Sequence, residues 1–137
     1  MSKYVLDTNL LIAAIRLEPA ALNTLTRLPK SRVVISDVAF YELMLGEFLA
    51  GDSRSKEARQ RKAQREALLA GIDHLPFDAK AAEMAAKAQV RLKQQNQSLE
   101  LRDLFIAASA AAKGYTIITN NTRHLARFPK LKVQKWG

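Results

Sequence analysis

The stretch VLDTNLLI, Val5 to Ile12, ends a short apolar run on a carboxylate and then resumes it. A β-like run followed at once by a helical one places Asp7 at the carboxyl end of a strand and at the mouth of a helix. The ordinary role for such an acid is a helix cap, because Asp, Thr and Asn all accept hydrogen bonds from free helical N–H groups and DTN offers the three in a row. An acid set between Val5-Leu6 and Leu10-Leu11-Ile12 is nonetheless poorly placed for ordinary surface charge. The rest of the chain has to decide between cap and chemistry.

Outward from that stretch, β-like and helical runs alternate. KYVLD is strand-like and TNLLIAAIRL helical, while Pro19 fits the first turn of a second helix reaching about Leu28. RVVIS, Arg32 to Ser36, predicts the second strand; Ser36 or Asp37 caps the helix VAFYELMLGEFLA, which Gly51 and Asp52 break. A long helix to about Leu69 follows, then a short extended HLPF. Asp78 caps an Ala-rich helix to about Gln95, with Met84 and Val90 on its core side, and NQSLEL forms a loop. RDLFIAASAAAK is a helix ended by Gly114, TIIT a buried strand, NNTRHLARF a short helix stopped by Pro129, and LKVQKW an edge strand that Trp136 anchors by packing. With 137 residues and 48% hydrophobic content, the pattern predicts a single domain over 1–137. Its class is α/β, a three-layer α/β/α sandwich with a mainly parallel central sheet.

Composition narrows the chemistry. There are no cysteines, which excludes a disulfide framework, a thiolate nucleophile and a Cys-ligated zinc site. No signal peptide and no window of membrane-spanning length is visible, so a cytoplasmic protein without a membrane partner is expected. Lys and Arg number 22 against 13 Asp and Glu, a net charge of +9. The excess gathers in RSKEARQRKAQR, with Arg54, Lys56, Arg59, Arg61, Lys62 and Arg65 against Glu57 alone, and after Asp103, where the chain has no acid but includes Arg123 and Arg127. Such a field favours a polyanion, nucleic acid being the commonest; a solvated helix face with a basic tail, or an acidic protein partner, would look the same.

Two further acids break apolar pattern as Asp7 does: Glu42 in VAFYELML and Asp103 in RDLFIAA. Each alone could be an N-terminal helix charge, favoured by the macrodipole by roughly 0.3 to 1 kcal/mol. In a parallel sheet, however, ligand sites lie outside the carboxyl ends of the strands, and that edge collects Asp7, Asn120 and Asn121, and the starts of the helices holding Glu42 and Asp103. Carboxylates crowded together repel or take up protons, and a divalent cation removes the conflict. All-oxygen donors point to Mg²⁺, with Mn²⁺ as its substitute, and suit phosphodiester hydrolysis, in which such an ion polarises the phosphoryl oxygen and activates water.

These residues also carry a resemblance. VLDTNLLI, Glu42 after the second strand, RDLFIAA, and TNNTRHLARFPKLKVQKW near the end resemble the PIN-domain fold, and most closely the VapC-type toxin ribonucleases of bacterial toxin–antitoxin pairs. The match spans nearly the whole chain. It implies an acidic quartet at Asp7, Glu42, Asp103 and the Asn121 position, magnesium-dependent cleavage of RNA (tRNA among the structured RNAs), a homodimer, and neutralisation by a cognate VapB-like antitoxin that inserts a peptide at the acids. Asn121 departs from the Asp found there in many PIN domains; it offers an amide oxygen but no charge. The expectation is one Mg²⁺ held mainly by Asp7 and Asp103, with Glu42 as a base acting through water or as a further ligand. Thr119 and Asn121 would orient that water, and Thr8 and Asn9 serve as caps or orient the ligands. His74 and His124 lack ligand spacing with each other and read as ordinary surface or half-buried histidines, Asp37 as a cap, and Glu100, three residues before Asp103, as a solvated loop acid that could otherwise add negative charge to the rim. A non-catalytic nucleic-acid-binding module and a housekeeping PIN nuclease are the competing readings.

Overall fold

The computed structural model describes residues 2–51 and 54–136. Tyr4–Leu6 forms β1, and its neighbours are set by which apolar runs can lie beside it. Val33–Ser36 (β2) pairs on one side and Thr116–Ile118 (β4) on the other; Asp73–Leu75 (β3) and Lys132–Gln134 (β5) close the edges. The order is β3-β2-β1-β4-β5, and all four pairings are parallel, so the sheet is more regular than the mainly parallel one expected. Parallel neighbours require crossovers, and the helices supply them: Thr8–Ile15 (α1), Pro19–Thr26 (α2), Asp37–Leu49 (α3), Lys56–Leu69 (α4), Ala79–Gln94 (α5), Leu101–Lys113 (α6) and Thr122–Leu125 (α7).

Burial follows the sequence pattern. Val5, Leu6, Ile35, Ile117 and Ile118 are fully enclosed, and Leu10, Leu11, Leu104 and Ile106 pack with them in one core. Each such side chain contributes about 1.5–3 kcal/mol of transfer free energy. Strand order reverses between β1 and β4, which opens a crevice at their carboxyl ends. Asp7 and Thr119, the residues that follow those two strands, stand on either side of it.

Several boundaries differ from the sequence reading, each for a physical reason. The third strand begins at Asp73 and stops at Leu75, because Pro76 has no N–H for the ladder. Ser36 caps α3 through Ala39 N–H at 2.9 Å, so Asp37 is not the cap; its Oδ1 lies 2.7 Å from His74 Nδ1. Val90 is 61% exposed rather than on the core side, where Ala81, Ala85, Ala88 and Leu92 sit. The last helix is a single turn, and the NQSLEL loop ends one residue early because Glu100 caps α6. Gly51 ends α3 at φ +88°; Asp52, expected to share that break, lies outside the described residues. Trp136 packs half-buried against the core, as expected.

Candidate active site

Asp7 is the cap that the sequence offered, and it also lines the crevice. Its backbone is extended (φ −66°, ψ 152°), and Oδ1 accepts the Thr8 N–H at 2.8 Å to cap α1. Oδ2 accepts the Thr119 hydroxyl at 2.6 Å across the crevice. With each oxygen held once, the carboxylate is fixed in direction. Only 5% of the residue is exposed, and this burial raises its proton affinity, with the bonds from Thr119 and Thr8 working against it.

Glu42 lies past the first turn of α3, beyond what helix-end electrostatics would place. Its Oε1 accepts the Thr8 hydroxyl at 2.9 Å, and Arg102 Nη1 approaches Oε2 at 3.5 Å. Burial again raises its pKa; Thr8 and Arg102 lower it, and the charges of Glu100 and Asp7 add to the rise. Asp103, in the first turn of α6, is pushed up to about 6, first by burial and then by Asp7, Glu100 and Glu42, with Arg102 opposing. Its carboxylate accepts no hydrogen bond among the described residues. Asp7, Thr8, Asn9, Glu42, Arg102 and Asp103, with Leu45 and Leu49, line one cleft of about 410 Å³.

Asn121 comes near this cluster by a different bond from the one expected. Its backbone N–H donates to Thr119 Oγ1 at 2.9 Å, but its Oδ1 lies 2.7 Å from His124 Nδ1. The amide oxygen expected to orient water is thus already engaged. Among the basic residues, Arg61, Lys62 and Arg65 line a second, apolar groove of about 530 Å³ that meets the acid cleft at Ile12, Glu42 and Gly46. Arg65 is paired there with Glu47. Lys56 and Arg59 are exposed on α4, Arg54 precedes it, and Arg123 is exposed on α7. Arg127 Nη1 donates to Ser98 O at 3.2 Å and ties down the loop before α6.

One participant, Arg102, escaped the sequence reading, and another, Glu100, is a cap where a solvated loop acid was expected. Arg102 is the only cation lining the acid cleft among the described residues, and Glu100 caps α6 through the N–H groups of Arg102 and Asp103 at 3.1 and 3.3 Å. The signal for both was LELRD: an acid three residues before Asp103 is the spacing of a cap to N3, which also sets Arg102 at the helix mouth.

The donor set fits a hard divalent cation. Three oxygen-only side chains with raised proton affinities face one cleft, and a single guanidinium offsets them. Among the described residues no three acids or histidines close into a ready-made cage, so one or two carboxylates would hold the ion with water completing its shell.

A parallel sheet in this order with acids gathered at its switch point matches the PIN-like expectation. The PIN domain family model matches residues 4–131, and the chain belongs to that family. Within it the chain is similar to VapC ribonucleases: 32% identical over 137 residues to the tRNA(fMet)-specific endonuclease VapC of Shigella flexneri, covering all of both chains. It is 30% identical over 134 residues to Ribonuclease VapC2 of Rickettsia felis, covering 97% of each. Among solved structures, DNA-bound VapBC from Salmonella typhimurium matches with a TM-score of 0.85 at 27% identity over 100% of each chain. VapBC2 from Rickettsia felis bound to a promoter fragment matches with a TM-score of 0.83 at 28% identity over 98% of each.

Proposed function

We propose that this protein is a metal-dependent endoribonuclease, the toxin of a type II toxin–antitoxin pair, which hydrolyses RNA phosphodiester bonds at Asp7, Glu42 and Asp103. The observation that carries the reading is the convergence of three carboxylates of raised proton affinity on one cleft. The VapC relatives supply the reaction class.

Asp7 and Asp103 would hold Mg²⁺, or Mn²⁺ in its place, with Glu42 at its edge. What such an ion supplies when bound is neutralisation of phosphoryl charge and a more acidic water. Asp7 contributes a fixed direction, because Thr8 and Thr119 hold its two oxygens. Glu42 takes up a proton readily: it is half-buried, and its Oε1 is held toward the cleft by Thr8. Arg102, 45% exposed at the rim, is placed to meet a phosphate as well as Glu42. Thr119 orients Asp7 directly, and Asn9 lines the cleft with a side chain that makes no hydrogen bond among the described residues.

The substrate is a structured RNA such as tRNA, engaged along its phosphates by the basic face of α4 and by Arg123. A VapB-like antitoxin would compete for the same place. The apolar groove that joins the acid cleft gives its peptide an anchor, and an arginine reaching Asp7 and Asp103 would satisfy the acids in the cation's stead. A homodimer is supported by Tyr41, Phe48 and Leu49, large apolar residues left 54%, 74% and 77% exposed on α3. No helix among the described residues is long and apolar enough to cross a membrane, and a toxin of this kind acts in the cytoplasm.

The test is induction in a bacterial host followed by analysis of total RNA. Growth arrest with discrete RNA fragments, both abolished by Asp103→Asn and relieved by a co-expressed antitoxin from an adjoining short gene, is the expected result. Arrest that persists in the variant would overturn the reading.

A further inference from the structure

Asn is among the strongest helix N-caps, and Asn121 occupies the N-cap position of α7, yet its side chain makes no capping bond. Its oxygen is spent instead on His124, one helical turn on, at 2.7 Å. With a carbonyl oxygen as acceptor, the His124 ring must carry its hydrogen on Nδ1. The other end of the same residue enters the site: the Asn121 backbone N–H donates to Thr119 Oγ1 at 2.9 Å, and Thr119 donates to Asp7 Oδ2 at 2.6 Å. An exposed histidine is thus joined by three consecutive hydrogen bonds to the most buried acid of the cleft.

We propose that His124 is a positioning residue of the nuclease site: it holds the oxygen of Asn121, so that only the Nδ2 amino group is left to meet substrate. Asn121 then acts as a hydrogen-bond donor to the phosphodiester and not as a metal ligand, which accounts for an uncharged residue at a position the family resemblance assigns to an acid. One short segment, Thr119 to His124, thus locks Asp7 at one end and fixes the orientation of the Asn121 amide at the other. This inference rests on the nuclease reading above.

The experiment compares His124→Leu, which removes the donor, with His124→Asn, whose Nδ2 occupies the place of the histidine Nδ1. Cleavage kinetics on one purified RNA substrate should show kcat about 10-fold lower in His124→Leu with KM little changed, and most of that loss recovered in His124→Asn. In an Asn121→Ala background the His124→Leu change should add nothing further. The side-chain amide resonances of Asn121, recorded on metal-free protein, should move in His124→Leu and return toward their original place in His124→Asn. An unchanged kcat in His124→Leu, a loss in KM alone, or an His124→Asn variant no better than His124→Leu would overturn the proposal. Asp7→Asn separates the two levels: cleavage that survives it sinks the nuclease itself, and the amide resonances still decide whether His124 sets Asn121.

Discussion

Asp103 shows what it costs to build this cleft. Its carboxyl titrates at about 6 against an ordinary 3.8, because burial and the charges of Asp7, Glu100 and Glu42 disfavour its ionised form. Only the ionised form holds a cation, so cleavage should fall as pH drops through about 6, in rates measured from pH 5 to 8 at one fixed Mg²⁺ concentration well below saturation. The same shift has the opposite sign for stability. Between about 3.8 and 6 the folded chain keeps a proton that the unfolded chain has lost, so stability declines as pH rises across that window and the whole penalty stands above it. Removing the charge should therefore help the metal-free fold: Asp103→Asn is expected to raise Tm at pH 7.5 by about 3 °C, roughly 1 kcal/mol, while abolishing cleavage. A lower Tm in calorimetry would contradict this account of the site. At this scale the acids were legible because each interrupts an apolar pattern that helix or strand periodicity would otherwise complete. Arg102 was not, since a charged residue at a helix mouth looks like any solvated face until the fold puts it beside Glu42, and Glu100 was legible only as a possible rim charge and not as the cap of α6. The His124–Asn121 bond depends on rotamers, which spacing does not reveal.

Secondary elements act here mainly by delivering their N-terminal halves to one edge. Ser36 starts α3 and Glu100 starts α6, and those two caps set where Glu42 and Asp103 emerge. The far end of α6 contributes no residue to the lining of the cleft. Gly114 closes α6 in the left-handed region at φ +71°, with open space where a Cβ would stand, so Gly114→Ala should cost about 1 kcal/mol through backbone strain alone. Thermal unfolding should register that loss while kcat stays as it was. The order of elements was readable from alternation and caps. What escaped was set by tertiary partners: Asp73 joins β3 because Val34 lies beside it, and Val90 is exposed because small alanines carry the packing of α5.

For the whole molecule, charge is divided between a carboxylate cleft and a surface that is basic overall, a combination suited to an anionic polymer drawn in by field and cut at a metal. If Arg59 and Lys62 on α4 contact RNA phosphates, replacing each by Ala should make the log–log salt dependence of RNA binding shallower by about 0.7. Unchanged slopes would assign that face to a protein partner instead. The α3 apolar face makes a parallel claim: light scattering should find two chains per particle, and Tyr41→Asp should shift the population to one. The claim beneath all of these is that the three carboxylates cut RNA together. It is tested most directly by cleavage of an end-labelled RNA with Mg²⁺, with EDTA, and by the single variants Asp7→Asn, Glu42→Gln and Asp103→Asn. Loss of at least about 100-fold in kcat/KM in each variant and with EDTA is the result predicted. Turnover within a few-fold of the original in any of the three, or undiminished in EDTA, would contradict it.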